Sequence, residues 1–208
     1  MKLLLFKSVL IIFIIPVFAQ NQYSNWIFLD GTEIDFASNE PIVEKGKYRI
    51  LQGGRYKDLA EGCNTVASIS DDHGNLLFFT NGFNFYNADG NLLLNGEVFQ
   101  GNMGCSSATI GHLSIVKKPG SEDQYLVIII HNNSIVNNIY NWHEGESVLH
   151  YVTVDMKIKK VLKNKNFIAE ATNFNIIPSL SLDSLYLIAS NYSASRTSVF
   201  TINKNGVH

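Results

Sequence analysis

The sequence predicts an all-β protein with very little helix, and three observations lead to that prediction. Short apolar runs of strand length recur along the chain at close spacing. The segments between them contain Asn-Gly and Asp-Gly dipeptides, which tolerate the positive φ angles that tight hairpin turns require. Phe and Tyr are plentiful, at 13 and 9 residues, whereas charged residues make up only 16% of the chain. We therefore expect about ten to fifteen short strands arranged as a sandwich, a barrel or a propeller.

The clearest strand pattern lies between Glu61 and Cys105. The turn signals in this stretch are Asp71 to Asn75, Asn81-Gly82 and Asp89-Gly90. The apolar runs between them are Ala67–Ile69, Leu76–Thr80, Phe83–Tyr86 and Asn91–Leu94. Apolar runs separated by such turns are typical of a meander of antiparallel strands.

The rest of the chain continues the same pattern. Trp26–Phe28 and Ile34–Phe36 are expected to be strands that precede the meander, and Ser106–Lys117 is expected to follow it. Gln124–Ile130 has no polar interruption after its first residue, which indicates a strand buried on both faces. Val148–Asp155 alternates between apolar and polar residues, as a half-buried strand does. Shorter candidates are Tyr48–Leu51, Val161–Leu162, Phe167–Ala169, Phe174–Pro178, Leu185–Ser190 and Ser198–Ile202.

Residues 1–19 have the three parts of a secretory signal peptide. Lys2 and Lys7 supply the positive end, an apolar stretch follows, and Val17 and Ala19 occupy the −3 and −1 positions of a cleavage site before Gln20. A membrane anchor is the alternative, but the apolar stretch is short for a span and is interrupted by a lysine and a proline. We therefore predict a secreted or cell-surface protein whose single domain covers residues 20–208, with no membrane span after signal removal.

The two cysteines, Cys63 and Cys105, become interpretable if the chain is exported. In an oxidising compartment an even number of cysteines favours a disulfide. Such a bridge would close a loop of about 43 residues, for which chain entropy gives roughly 4 kcal/mol of stabilisation. The alternative is a pair of free thiols buried in neighbouring strands.

Charge and motif content argue against several classes of function. The net charge of −2 and the lack of an apparent basic face argue against nucleic-acid binding, which needs Lys and Arg to replace counterions. The five lysines between Lys157 and Lys165 are interpreted as a solvated strand edge and turn. The six histidines lie singly, without the spacing of a zinc site. No nucleophile elbow, phosphate-binding loop or dinucleotide fingerprint is present. The sequence therefore predicts no catalytic residue, no cofactor and no metal ligand.

Two local patterns, a turn motif and a pair of aromatic residues, could have a function. Ser70 to Gly74 fits the Ser-x-Asp-x-Gly core of an Asp-box turn, and Asx-turn chemistry explains Asp71 there without a bound calcium ion, which stays an open alternative. Tyr140 and Trp142 lie in a long polar segment, where exposed aromatic rings could stack on sugars or anchor a protein partner. The alternative is that both rings pack against the sheet.

Three ordered blocks resemble the N-terminal β-propeller-like regions of secreted Bacteroidetes proteins, the type IX secretion cargo that includes gliding-motility-associated proteins. The blocks are NWIFLDGTEIDF, EGCNTVASISDDHGNLLFFTNG and SIVKKPGSEDQYLVI, and the resemblance covers most of residues 25–155. Position 29 departs from the family pattern, since Leu29 stands where the family usually has glycine. Family members also carry further blades and a C-terminal sorting domain.

This resemblance implies a β-propeller-like fold of short four-stranded antiparallel blades, incomplete at three to four blades. It implies a non-enzymatic module for surface display, adhesion or binding, with a surface protein or a glycan as partner and the secretion machinery as a further partner of the full-length protein. Two alternatives stay open. One is a propeller-fold glycan-processing enzyme of sialidase or glycosidase type, with acids drawn from Asp58, Glu61, Glu144 and Glu146. The other is a truncated fragment without independent function.

Overall fold

The computed structural model describes residues 22–28, 30–38, 40–48, 65–98, 110–132, 147–181, 183–192 and 194–208. Within these ranges the chain forms fifteen β-strands and no α-helix, so the all-β prediction is confirmed. No helix among these residues is both long and apolar enough to span a membrane. The predicted signal peptide, residues 1–19, lies outside the described residues.

The first sheet is small and antiparallel. It contains β1 (Asn25–Ile27), β2 (Glu33–Asp35) and β3 (Ile42–Glu44), with β2 in the centre. Asp30 and Gly31 form the turn between β1 and β2, and the Asp30 side chain accepts a hydrogen bond from the backbone N–H of Thr32 at 2.9 Å. This is the turn that the Asp-Gly dipeptide indicates.

Two four-stranded antiparallel meanders follow. The first meander contains β4 (Ala67–Ser70), β5 (Leu76–Thr80), β6 (Asn84–Asn87) and β7 (Leu92–Glu97). The second contains β8 (Ile110–Lys117), β9 (Gln124–Asn132), β10 (Ser147–Asp155) and β11 (Lys160–Glu170). A parallel bridge between Leu94 and Lys160 joins the two meanders into one eight-stranded sheet. Its two edge strands, β4 and β8, also contact each other, so the sheet curls into a nearly closed, barrel-like form.

The third meander forms a separate sheet of β12 (Asn173–Pro178), β13 (Leu185–Asn191), β14 (Arg196–Asn203) and β15 (Gly206–Val207). The first three strands agree with the sequence prediction to within a few residues.

One prediction in the second meander is wrong, because the two short strands expected at Val161–Leu162 and Phe167–Ala169 are parts of the single strand β11. A register shift opposite β10, between Tyr151 and Thr153, accommodates the polar residues that separate the two apolar runs.

Strand β9 is the centre of the fold because both of its faces are buried. Tyr125, Val127 and Ile129 pack towards the first meander. Their neighbours Leu126, Ile128 and Ile130 pack towards the third meander. All six side chains are at most 4% exposed, which confirms the prediction that the uninterrupted apolar run is buried on both faces.

The same alternation in β5 extends the stack to the first sheet. Phe78 faces the second meander, whereas Phe79 lies in a smaller core with Ile27, Tyr48 and Tyr86. The layers therefore pack in chain order: first sheet, first meander, second meander, third meander. Each inner layer presents one apolar face to the layer before it and the other to the layer after it.

Polar contacts fix the first sheet on the first meander. The buried Asn25 amide donates hydrogen bonds to Ser70 Oγ at 2.9 Å and to the Gly74 carbonyl at 2.6 Å. Gly74 has a φ of +89°, and a Cβ atom added there would lie 2.7 Å from the Cβ of Ala37. This junction therefore requires both an amide at position 25 and the absence of a side chain at position 74.

Candidate functional site

A cleft of about 660 Å³ lies between the turns of the first and second meanders. Leu76, Leu77, Tyr125 and Met156 provide its apolar lining. Lys117, Lys159 and His73 also line it. Its carboxylates are Asp71, Asp72, Asp89, Glu122 and Asp123. The acidic side chains therefore outnumber the lysines, and they surround an apolar floor.

Asp71 organises the first turn beside the cleft. Its Oδ1 accepts hydrogen bonds from the backbone N–H groups of His73 at 2.9 Å and Asn75 at 2.8 Å, and its Oδ2 accepts one from the Asn75 amide at 2.9 Å. The Asx-turn interpretation is confirmed. Partial burial opposes ionisation of Asp71, but the hydrogen bonds from Asn75 and His73 outweigh it and lower the pKa of the carboxyl. Both carboxylate oxygens are used within the turn, so Asp71 shapes the cleft.

The other four carboxylates of the cleft are exposed to solvent. Asp72 accepts a hydrogen bond from the Gln22 amide at 3.0 Å, and its Oδ2 lies 3.8 Å from the Lys117 ammonium. The negative charge of these acids acts on the hydroxyl of Tyr125, a residue that is almost fully buried. Burial raises the pKa of Tyr125, and the negative charges of Asp72 and Asp123 raise it further. The cleft is therefore electrostatically negative.

We expect Asp71→Ala to lower the free energy of unfolding at pH 7 by about 1 kcal/mol, since three hydrogen bonds to a partly solvated carboxylate are lost. Because the folded-state pKa of Asp71 is lowered, its contribution is present above the ordinary carboxyl pKa and is lost as the pH falls through the lowered value. Urea unfolding at pH 7 and pH 2 measures both effects.

The control for this prediction is Asp71→Asn, which keeps one oxygen to accept the backbone N–H groups and should cost less than alanine. A loss of equal size in Asp71→Ala at pH 2 and pH 7 would contradict the assigned role of the charge.

A second cleft, of about 400 Å³, separates β8 from the third meander. His112, Ser114 and Lys117 line it on β8, and Phe174 and Ile176 line it on β12. The ring centroids of His112 and Phe174 are 6.0 Å apart in an edge-on arrangement. This cleft is smaller than the acidic one and lacks its concentration of charge.

Two histidines that look isolated in the sequence form a buried pair. His131 on β9 and His150 on β10 are fully buried. Their rings are stacked, with centroids 4.8 Å apart and an angle of 9° between the ring planes. His131 Nδ1 lies 3.2 Å from His150 Nε2. One nitrogen must donate and the other accept, so at least one ring is neutral. The alternation of β9 and β10 indicates that both rings face inward, but the sequence does not give the strand register that brings them together. Within the described ranges, no group of three or more His, Cys, Asp or Glu side chains could hold a metal ion.

An ion pair between a buried glutamate and a partly exposed lysine supports the first sheet. Glu33 is almost fully buried and forms an ion pair with Lys47, which also lies 2.8 Å from Glu44. The hydroxyl of buried Tyr48 donates to the Ala88 carbonyl at 2.9 Å and lies 3.5 Å from Glu33. Burial, followed by the charge of Glu33, raises the pKa of Tyr48 to about 12.

This raised pKa predicts alkaline sensitivity. An unfolded tyrosine loses its proton near pH 10, so the stabilisation is complete below that pH and is lost as the pH rises through about 12. Tyr48→Phe should therefore lose less stability than the natural chain between pH 9 and pH 12, by up to about 2 kcal/mol. Urea unfolding across this range measures the difference. Parallel stability profiles of the two proteins would contradict the assignment.

The described structure does not include the residues that the sequence analysis selected as site candidates. Cys63, Cys105, Tyr140 and Trp142 all lie outside the described residues, as do the glycosidase candidates Asp58, Glu61, Glu144 and Glu146. The disulfide and the aromatic binding surface therefore stay predictions. The acidic cleft was missed because its two walls come from turns about fifty residues apart.

Comparison with known proteins yields no relative for this chain: no family model, curated protein or solved structure matches it. The resemblance to secreted Bacteroidetes proteins therefore stays a prediction that depends on the three sequence blocks alone.

Proposed function

We propose that this protein is an extracellular, non-enzymatic binding module with propeller-like blades, and that its acidic cleft binds a cationic group of a surface protein. The acidic cleft between the first and second meanders is the observation that carries this proposal. The residue pattern of positions 1–19, which is typical of a signal peptide, supports the extracellular location.

The order of the sheets supports the propeller-like description. Three successive four-stranded meanders pack face to face in chain order, as neighbouring blades do. Among the described residues, the strand pairing between the first two meanders is the single parallel bridge at Leu94 and Lys160, so each meander can be treated as one blade. In such folds the turns at the ends of the blades form the binding surface on a rigid frame.

The chemistry of the cleft favours a lysine or arginine side chain as ligand. The partly buried Leu77 and Met156 offer apolar contact to an aliphatic stem. The exposed acids Asp72, Glu122 and Asp123 offer partners for the cationic head. The volume of the cleft falls in the range of small-ligand sites, about 300–1,000 Å³. A protruding basic segment of a partner protein would fit both the apolar floor and the acidic walls.

Calorimetric titration of the mature chain with a lysine-rich peptide tests this proposal. We expect binding that weakens as salt increases, and an affinity at least tenfold lower in the triple variant Asp72→Asn, Glu122→Gln, Asp123→Asn. The control triple variant Glu40→Gln, Glu97→Gln, Glu170→Gln removes the same charge from positions outside the cleft and should retain the affinity.

Equal losses in the two triple variants would show that net charge alone attracts the peptide, and the proposed site would then be wrong. Binding of a neutral oligosaccharide in place of the peptide would also overturn it, since no cation is then involved.

A further inference from the structure

The first sheet has an uncharged, apolar outward face. Trp26, Ile34 and Val43 are cross-strand partners in its middle row, and Phe28 and Phe36 continue that face by alternation. The ring centroids of Trp26 and Phe36 are 5.1 Å apart, in an edge-on arrangement. Trp26 is 54% exposed and Val43 is 52% exposed. We call these five residues the leading face.

The third meander, at the other end of the stack, has a similar outward face. Ile177 pairs with Tyr186, and Ile188 pairs with Val199, on the side opposite the buried core. Val199 is 63% exposed, and Ile177 and Tyr186 are each more than one-third exposed. Asn175, Thr201 and His208 complete this surface, which we call the trailing face; His208 exchanges two backbone hydrogen bonds with Thr201. None of these residues is an Asp, Glu, Lys or Arg.

Such faces are unusual for a sheet in contact with water. The solvated side of an antiparallel sheet normally alternates to polar and charged residues, which also prevent association. Here the inner layers bury both faces, whereas the first sheet and the third meander each bury one. Among the described residues, nothing packs on the other, apolar face of either sheet. Large exposed apolar patches of this kind indicate an interaction surface.

We propose that a second copy of this chain covers these faces head to tail, with the leading face of one copy packed on the trailing face of the other. This contact continues the face-to-face packing that already joins each layer to the next within one chain. None of the residues that define the two faces is an Asp, Glu, Lys or Arg, whose charge would lose its hydration in the contact. A contact between two identical faces would not repeat this arrangement, in which one side of a layer packs on the opposite side of its neighbour.

A head-to-tail contact either closes into a ring or propagates. Two copies in a closed ring would place eight packed layers around one axis, namely one three-stranded sheet and three four-stranded meanders from each copy. This number lies within the range of about four to eight blades found in propellers. The proposal is therefore a closed dimer with two equivalent interfaces. It rests on the stacked sheets and does not depend on the ligand of the acidic cleft.

Light scattering during size-exclusion chromatography of the mature chain tests this inference. We expect a dimer, and monomers for Trp26→Lys and for Val199→Lys, each with unchanged circular dichroism because both residues are exposed. The control Leu180→Lys changes a fully exposed residue in a turn and should leave the dimer intact.

Mixing the two monomeric variants separates head-to-tail association from contact between identical faces. The mixture retains one intact interface, between the trailing face of Trp26→Lys and the leading face of Val199→Lys, so a 1:1 complex should form that neither variant forms alone. A natural chain that stays monomeric at 100 μM (about a hundredfold above a 1 μM dissociation constant) would overturn the proposal. So would a dimer that survives either substitution, or growth into open polymers.

Discussion

Ile128→Ala and Ile129→Ala are each expected to lower the free energy of unfolding by about 2–5 kcal/mol, although the two residues are adjacent and lie in one strand. Both side chains are fully buried, and they point to opposite sides of β9. Each substitution removes methyl and methylene groups from a different core and leaves a cavity that the surrounding sheets cannot fill completely. Either loss is a large share of the stability of a typical domain.

Urea unfolding measures the size of both effects, and native-state hydrogen exchange locates them. Ile128→Ala should increase exchange in β13, whereas Ile129→Ala should increase it in β5. Ile158→Ala is the control, since that side chain is 57% exposed and its truncation should cost little. If either buried position behaved like residue 158, β9 would not be buried on both faces.

Gly74→Ala is expected to cost about 2–4 kcal/mol, because two separate penalties act at this position. The φ of +89° is unfavourable for any residue with a Cβ, and the added carbon would come within 2.7 Å of the Ala37 Cβ at the contact between the first sheet and the first meander. Thermal and urea unfolding report the loss. Tryptophan fluorescence from Trp26 reports whether the first sheet has moved.

Gly46→Ala separates the two penalties. Gly46 also has a positive φ, at +64°, but an added Cβ would meet nothing within 4 Å, so only the conformational cost of about 1 kcal/mol applies. The difference between the two variants measures the tightness of the contact at Ala37. Equal costs at positions 46 and 74 would show that the first sheet does not pack closely there.

Strand positions were largely predictable because the period-two pattern and the turn residues are local signals. The uninterrupted apolar run of β9 even indicated its burial on two faces. Local patterns do not tell which layer a side chain meets. Trp26 was expected in a strand and lies in β1, on its outward side, where it is 54% exposed. The sequence signal is the same for an inward and an outward aromatic ring, and only the packing of the layers distinguishes them.

The candidate site was less predictable, and for a physical reason. Asp71 could be assigned to an Asx turn because its hydrogen-bond partners are two and four residues away. The proximity of that turn to Glu122 and Asp123 depends on how two meanders pack, which involves contacts distant in the sequence. The pairing of His131 with His150 depends on the register of β9 and β10, which a 19-residue separation does not reveal.

The most direct test of the stacked-sheet account is a nuclear Overhauser spectrum of the mature chain with labelled aromatic and methyl groups. The account places the rings of Phe78 and Tyr125 with centroids 5.7 Å apart, and Ile128 in the same core as Leu187. It therefore predicts cross-peaks from β9 to both the first and the third meanders. Cross-peaks to one meander alone would contradict the account, and with it the acidic cleft or the two uncovered end faces.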